Sequence, residues 1–258
     1  MTAMVLERVR ERLVPGEVIW KLHYEPASSS TQELARAAAA RGGGEGWTVV
    51  TDVQREGRGR LGRSWVAPPE TALLFSTILR PPLDVLPLLP LLAALAVAGG
   101  IEGATGAVPD LKWPNDVLLN GKKLAGILLE RPAGPDVVLG VGLNVNQSPQ
   151  DVPDGGTSLA IELGGRALER EPLLAAILND LGNVYERADR EGIDWIVPGW
   201  RSRSSMLGQA VSFHRDGALI RGIAEDVLAD GALRVRLEDG AQISVVAGEV
   251  ERLRTAQS

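Results

Sequence analysis

KWPNDVLLNGKKLAGIL, residues 112–128, is the stretch of sequence that decides the fold. Strand-forming runs at 111–120 and 123–130 meet at the dipeptide Asn120-Gly121. Asn-Gly between two such runs is a strong hairpin signal, because both turn residues must adopt positive φ. The stretch therefore predicts two antiparallel strands joined by a tight turn.

Polar and charged side chains interrupt the first strand of this hairpin. Pro114 lacks the N–H that a sheet ladder requires, so it indicates a bulge or a sheet edge. A bulge re-aims nearby side chains, here those of Asn115 and Asp116. Lys123 begins the return strand, within reach of the same face. We expect these residues to share a site; the alternative for either half alone is an exposed hairpin carrying charges.

The rest of the chain contains both strand-like and helix-like apolar patterns. Helical spacing is clearest at 171–190, and the alanine-rich run 34–40 has high helix propensity. Because several strands are joined by hairpins, a mixed α+β fold is favoured over a doubly wound parallel sheet. Further strands are expected at 18–24, 47–53, 71–79 and 137–145, and an apolar helix at 84–104.

The segment Ser29-Ser30-Thr31-Gln32 opens one of these helices. Ser30 and Glu33 have capping-box spacing, in which the serine hydroxyl bonds the first turn of the helix. The same hydroxyls and the free N–H groups of a helix N-terminus also suit a polar ligand. A helix cap and a ligand contact both fit this motif.

The pattern changes after residue 206. Short strand-like runs are separated by three X-Asp-Gly turns, as in small all-β barrels. So small a core is marginal alone, so we expect this unit to pack on the main domain. The chain is therefore divided into a main domain at 1–206 and a small barrel at 207–258. The barrel strands are expected at 210–214, 218–228, 233–237 and 242–246.

GRGRLGRSW, residues 57–65, lies between two predicted strands. Its glycines let the backbone approach a ligand closely, and its arginines are permanently charged donors for phosphate or carboxylate. The Walker pattern GxxxxGK[ST] is absent. The sequence predicts a flexible lid over an anionic ligand; the alternatives are a solvated arginine-rich turn and an RNA-binding stretch.

A weaker motif, GVGLNVN at residues 140–146, ends the strand predicted at 137–145. The glycines fit tight packing, and Asn144 and Asn146 fit a strand end. The motif therefore points to a site only in combination with the others.

Composition narrows the classes of function. The net charge is −6 and the pI about 5.1, whereas dedicated nucleic-acid binders are more often basic. There is no cysteine, which excludes disulfides and cysteine nucleophiles, and His23 and His214 alone cannot make a histidine-rich metal motif.

The N-terminus lacks the apolar core of a signal peptide. The apolar stretch 83–101 contains proline and glycine and fits a buried helix better than a membrane span. We expect a cytoplasmic protein that does not act at a membrane.

The four motifs together, in this order, resemble those of the biotin–protein ligases over roughly residues 25–255. The resemblance implies a catalytic domain with a mixed sheet backed by helices, followed by a small SH3-like barrel. It implies the use of ATP and Mg²⁺ to form biotinyl-5′-AMP, and transfer of biotin to a lysine of a biotin carrier domain of an acyl-CoA carboxylase. Fewer than 30 residues precede SSTQ, too few for a winged-helix domain, so no DNA partner is expected. Monomer and homodimer both stay open.

The resemblance also implies residue roles. The catalytic residues would be Lys123, between the biotin carboxylate and the α-phosphate, Arg58, and Asp116, near the incoming lysine. Biotin would be bound by Ser30, Thr31, Gln32, Gln54, Arg58, Gly59, Arg60 and Lys123. ATP and the adenylate would be bound by Gly57, Arg63, Trp65, Lys112, Asn115 and Asn144. No side chain is assigned to a metal ion.

One departure and three alternatives accompany the resemblance. Gln32 stands where many family members have asparagine. Lipoate–protein ligases share the fold and the chemistry, although the full GRGRLGRSW string favours biotin. A non-catalytic nucleic-acid-binding module built on the arginine loop is disfavoured by the acidic pI. An inactive biotin sensor is disfavoured by the intact Lys123 and Arg63.

Overall fold

The computed structural model describes residues 3–132, 134–215 and 217–246, and the backbone of 250–252. Six α-helices and twelve strands lie in the described part, in two sheets. The helices are α1 (Leu6–Arg10), α2 (Thr31–Ala40), α3 (Leu89–Thr105), α4 (Leu159–Glu162), α5 (Arg170–Glu191) and α6 (Ile196–Ser202). The strands of the large sheet are β1 (Lys21–Ser28), β2 (Trp47–Gln54), β3 (Ala72–Leu79), β4 (Asp110–Lys112), β5 (Asp116–Leu119), β6 (Lys122–Glu130) and β7 (Val137–Asn144). The small sheet contains β8 (Ala210–Arg215), β9 (Ala218–Val227), β10 (Leu233–Leu237), β11 (Gln242–Val245) and β12 (Val250–Arg252).

The large sheet has the strand order β1-β2-β3-β7-β6-β5-β4. Strands β1 and β2 are parallel and the other neighbours are antiparallel. Helices cover both faces: α2 packs on β2, β3 and β7, and α3 lies on the opposite side with α5 behind it. The prediction of a mixed sheet backed by helices is confirmed.

The apolar helix α3 forms the centre of the core. The stretch Leu86–Thr105 is long and apolar enough to cross a membrane by composition, but most of it is buried inside the fold. A Cβ added to Gly100 would come within 2.6 Å of the Ile177 Cα, so this glycine allows α3 and α5 to pack closely. The predicted buried core helix is what the structure contains.

The hairpin at residues 112–128 differs in one respect from the prediction. Asn120 and Gly121 both have positive φ, at 51° and 74°, as a tight hairpin turn requires. The first strand, however, is two short strands, β4 and β5, which pair with each other and reverse direction at residues 113–115. The single strand expected at 111–120 is wrong, because Pro114 ends the ladder at a turn instead of interrupting it with a bulge. A bulge does occur, between Val117 and Leu118.

The C-terminal strands form an antiparallel sheet in the order β11-β10-β9-β8-β12. The expected all-β unit is therefore present. Among the described residues, the two edge strands β11 and β12 do not pair with each other, so the sheet is open and does not close into a complete barrel. The small unit packs on the main domain as predicted: the Trp113 indole N–H donates to the Gly231 carbonyl at 2.9 Å.

Candidate active site

A cleft lies between the loop at residues 57–65 and the inner strands of the large sheet. It collects thirteen of the fifteen predicted site residues and leaves out Gly57 and Asn144. The predicted residues that line it are Ser30, Thr31, Gln32, Gln54, Arg58, Gly59, Arg60, Arg63, Trp65, Lys112, Asn115, Asp116 and Lys123.

One end of the cleft is a network of neutral polar groups. The Gln54 Oε1 accepts from the Thr31 backbone N–H at 2.8 Å. The Ser76 hydroxyl lies 2.9 Å from Thr31 Oγ1 and 3.0 Å from Gln32 Oε1, and Gln32 Nε2 donates to the Val138 carbonyl at 3.1 Å. This end presents both donors and acceptors without a formal charge, which suits a neutral polar ring.

Ser76 was not predicted as a site residue. The strand 71–79 carries three hydroxyl side chains, those of Thr71, Ser76 and Thr77, and sequence patterning does not show that Ser76 is the one that lines the cleft.

The start of α2 is capped differently from the prediction. Ser30 occupies the N-cap position, but its side chain makes no capping hydrogen bond. The Ser29 hydroxyl bonds Glu33 Oε2 at 2.8 Å instead, and Gln54 takes the Thr31 N–H. The capping-box assignment of Ser30 is therefore wrong, because a side chain from β2 satisfies the helix terminus and leaves the Ser30 hydroxyl to the cleft.

Trp65 forms a wall of the cleft above two glycines. A Cβ at Gly142 would lie 2.5 Å from the Trp65 ring, and one at Gly126 would lie 3.0 Å from it. The indole N–H is buried without a hydrogen-bond partner. Lys123 Nζ is 5.9 Å from the ring centroid. The glycines thus make room for the indole, a role that the weak motif at 140–146 did not reveal.

The cations of the cleft differ in their exposure to solvent. Lys123 Nζ lies 2.6 Å from Asp116 Oδ1. Arg60 donates to Asn115 Oδ1 at 3.1 Å, which ties the loop to the turn between β4 and β5. The side chains of Arg58 and Arg63 are exposed on the loop. The arrangement concentrates positive charge beside the neutral network, and that suits a ligand with a polar ring at one end and phosphates at the other.

The two predicted residues outside the cleft, Gly57 and Asn144, make hydrogen bonds within the fold. Gly57 stands at the base of the loop, where its carbonyl accepts from the Trp65 N–H at 2.8 Å and a Cβ would meet the Trp65 carbonyl oxygen at 2.2 Å. Asn144 donates to the Thr157 carbonyl and accepts from Gln147 Nε2, both at 2.9 Å. Their predicted contacts with the nucleotide stay predictions.

Comparison with known proteins identifies the same architecture. The profile of the Biotin/lipoate A/B protein ligase family matches residues 28–146, and that of the Biotin protein ligase C terminal domain matches residues 206–253. The biotin–[acetyl-CoA-carboxylase] ligase of Mycobacterium tuberculosis is 34% identical over 262 residues, which covers 95% of this chain and 94% of that protein. The bifunctional ligase/repressor BirA of Bacillus subtilis is 36% identical over 228 residues, 85% of this chain and 70% of that protein.

A solved structure agrees with these matches. The biotin protein ligase from Aquifex aeolicus in complex with biotin and ATP superimposes with a TM-score of 0.79 at 28% identity, covering 92% of this chain and 100% of that one. Since both profiles match in the predicted order and a full-length relative exceeds 30% identity, the chain belongs to the biotin–protein ligase family.

Proposed function

We propose that this protein activates biotin with ATP to biotinyl-5′-AMP and then transfers biotin to a lysine of a carrier protein. The observation that carries the proposal is the placement of Lys123, paired with Asp116 at 2.6 Å, in one cleft with a neutral polar network and an arginine loop. The biotin protein ligase from Aquifex aeolicus, solved in complex with biotin and ATP, supports the same function.

The first step joins two anions, so its barrier is lowered by fixed positive charge. A biotin carboxylate oxygen attacks the α-phosphorus, the bond to the β-phosphate breaks, and pyrophosphate leaves. Lys123 would neutralise the carboxylate and the α-phosphate together, and Arg58 and Arg63 would neutralise the departing phosphates. The polar network of Thr31, Gln32 and Gln54, with Ser30, would orient the biotin ring. Positioning and charge account for most of such catalysis, because the protein makes no covalent bond.

Mg²⁺ fits this cleft only as an ion carried by the nucleotide. Among the residues that the structure describes, no three His, Cys, Asp or Glu side chains form a metal-binding group. Mg²⁺ bound through phosphates commonly takes one or two carboxylates and water, and Asp116 is the carboxylate that the cleft offers. When bound, the ion would supply further neutralisation of phosphate charge.

The second step attaches biotin to protein. The carrier lysine nitrogen attacks the acyl carbon, the bond between acyl carbon and phosphate oxygen breaks, and AMP leaves. We assign Asp116 the orientation of the incoming amine and the acceptance of its proton. The loop at 57–65, with Trp65 as a wall, would exclude water from the mixed anhydride before transfer.

The wider setting of the reaction is also part of the proposal. A biotin carrier domain of an acyl-CoA carboxylase is the expected substrate protein, as the name of the Mycobacterium tuberculosis relative suggests. We propose the cytoplasm as the compartment, where ATP is available, and a boundary near residues 206 and 207 between the catalytic and C-terminal units.

Adenylate formation tests the first step and separates biotin from lipoate. The purified protein is incubated with Mg-ATP and either acid, and the product is identified by mass spectrometry. We expect biotinyl-AMP, reduced about 100-fold or more for Lys123→Ala, the scale seen when a charge-stabilising donor is removed. Lys21→Ala changes an exposed lysine of β1 outside the cleft and serves as the matched control.

The outcomes separate the alternatives. Lipoyl-AMP instead of biotinyl-AMP would move the substrate assignment to the lipoate ligases. If neither adenylate forms, the enzyme proposal is contradicted, and the sensor or the nucleic-acid module is favoured. A salt-dependent nucleic-acid titration is the direct check on the nucleic-acid module.

A further inference from the structure

We infer that Thr157, anchored by Glu162, is a positioning residue that sets where the Lys123 side chain enters the cleft. Neither Thr157 nor Glu162 lines the cleft. The inference rests on the proposed role of Lys123, and it concerns how that lysine is held.

The backbone of Lys123 is fixed by a segment outside the two hairpin strands. The Lys123 N–H donates to the Gly155 carbonyl and the Thr157 N–H donates to the Lys123 carbonyl, each at 2.8 Å. The pairing of β6 with β7 begins only at Ala125, opposite Leu143. Residues 155–157 therefore take the place of a neighbouring strand beyond the end of β7, on the side of Lys123 away from β5.

Every polar group of Thr157 is engaged in this arrangement. Its N–H bonds Lys123, its carbonyl accepts from Asn144 Nδ2 at 2.9 Å, and its hydroxyl donates to Glu162 Oε1 at 2.6 Å. Thr157 is 1% exposed. Because three hydrogen bonds fix Thr157 in a buried position, Thr157 also fixes the position of the β6 backbone at Lys123, with which it pairs.

Glu162 connects this residue to the hairpin turn that precedes Lys123. Its Oε2 accepts from Asn120 Nδ2 at 2.6 Å, and its Oε1 lies 3.4 Å from Lys122 Nζ. Burial raises the pKa of Glu162, but hydrogen bonds from Thr157, Asn120 and Lys122 outweigh it and leave the pKa below its ordinary value. The carboxylate therefore remains ionised and bonded at neutral pH.

The consequence is a two-sided hold on Lys123. Glu162 fastens the turn before the lysine, and Thr157 fastens the peptide groups of the lysine itself. Reacting groups displaced by about 1 Å can lose about 100-fold in rate. Loosening the hold should therefore lower the rate of the adenylation step more than it weakens substrate binding.

A pair of substitutions at Thr157 tests the inference. Thr157→Val keeps the shape and removes the hydroxyl, and Thr157→Ser keeps the hydroxyl. We expect Thr157→Val to lower kcat for biotinyl-AMP formation about 10-fold or more, with KM for biotin changed less than about threefold, and Thr157→Ser to restore most of kcat. The values are taken per active site, titrated by the burst of bound adenylate.

Thr105→Val is the matched control, because it removes a hydroxyl that bonds the Ile101 carbonyl within α3, away from the cleft. Glu162→Gln is the second variant and should fall between wild type and Thr157→Val, since its amide oxygen still accepts one bond. A wild-type kcat per active site in Thr157→Val would overturn the inference, as would an equal loss in Thr157→Val and Thr157→Ser.

Hydrogen exchange separates this inference from the proposed function. The Lys123 amide, bonded to Gly155, should exchange faster in Thr157→Val than in wild type, whether or not the protein makes biotinyl-AMP. If the Lys123 amide exchanges faster in Thr157→Val but the wild-type protein has no ligase activity, the proposed function is contradicted and the positioning role of Thr157 is supported. If the exchange is unchanged but the wild-type protein is an active ligase, the positioning role is contradicted and the proposed function is supported.

Discussion

At the scale of single residues, the cleft depends as much on small side chains as on charged ones. Trp65 fits against the sheet because Gly126 and Gly142 have no Cβ. Sequence patterning drew attention to the arginines and lysines, whose chemistry is evident from residue type. It could not show that two strand glycines leave space for the ring of a tryptophan more than sixty residues away, because that contact exists only in the folded sheet.

Gly142→Ala tests the wall that these glycines support. The added Cβ would lie 2.5 Å from the Trp65 ring, so the indole must move into or out of the cleft. We expect kcat/KM for biotinyl-AMP formation to fall about 10-fold or more, because the ligand wall is displaced, with the midpoint of thermal unfolding little changed. Gly103→Ala, at a helical position with open space around its Cβ, is the control. Wild-type kinetics in Gly142→Ala would show that the wall does not shape the cleft.

At the scale of elements, strand and helix identities could be predicted and their junctions could not. The strand at 71–79 and the helix at 171–190 were located to within a residue, because long apolar patterns have a clear period. The split of 111–120 into β4 and β5 was missed, since Pro114 is compatible with both a bulge and a turn. The short helix α4, which holds Glu162, is too short to show a period.

A buried ion pair attaches helix α5 to the sheet. Arg170, the first residue of the helix, donates to Asp52 Oδ1 at 2.7 Å and to the Ala72 carbonyl at 3.1 Å. Both side chains are buried, at 4% and 6% exposure. Asp52 also accepts from the Tyr24 hydroxyl. Loss of the arginine would therefore leave a buried carboxylate without its cation.

Arg170→Met measures how much this attachment contributes to stability. Removing one partner of a buried pair typically costs about 3–5 kcal/mol, so we expect a loss of that size in the free energy of unfolding by urea. The double variant Asp52→Asn with Arg170→Met should recover part of the loss, because no unpaired charge remains. A loss below about 1 kcal/mol in the single variant would contradict the assignment.

At the scale of the whole molecule, the chain has only two tyrosines, and both are tied into the fold. Burial, and then the hydrogen bond to Asp52, raises the pKa of Tyr24 to about 12. Burial, and then the hydrogen bond to Glu45, raises the pKa of Tyr185 further. The first links β1 to β2 and the second links α5 to the loop before β2, so their ionisation reports on the assembly of the main domain.

Alkaline titration follows from these shifts. Both phenols stay protonated in the folded protein where unfolded tyrosines ionise, so their stabilisation is complete below pH about 10 and is lost as pH rises toward 12. We expect little tyrosinate absorbance at pH 10.5 in native protein and about three quarters of the full absorbance in guanidinium, where tyrosines titrate near pH 10. Half-ionisation of both tyrosines near pH 10 in folded protein would refute the packing of these side chains.

Transfer of biotin to protein tests the central claim most directly. The protein is incubated with Mg-ATP, biotin and a biotin carrier domain of an acyl-CoA carboxylase, and the intact mass of the carrier is measured, with a carrier lacking its acceptor lysine as control. The account predicts a mass increase of one biotinyl group on the intact carrier, absent from the control and strongly reduced with Lys123→Ala. An unmodified carrier, under conditions where a known biotin ligase modifies it fully, would contradict the account.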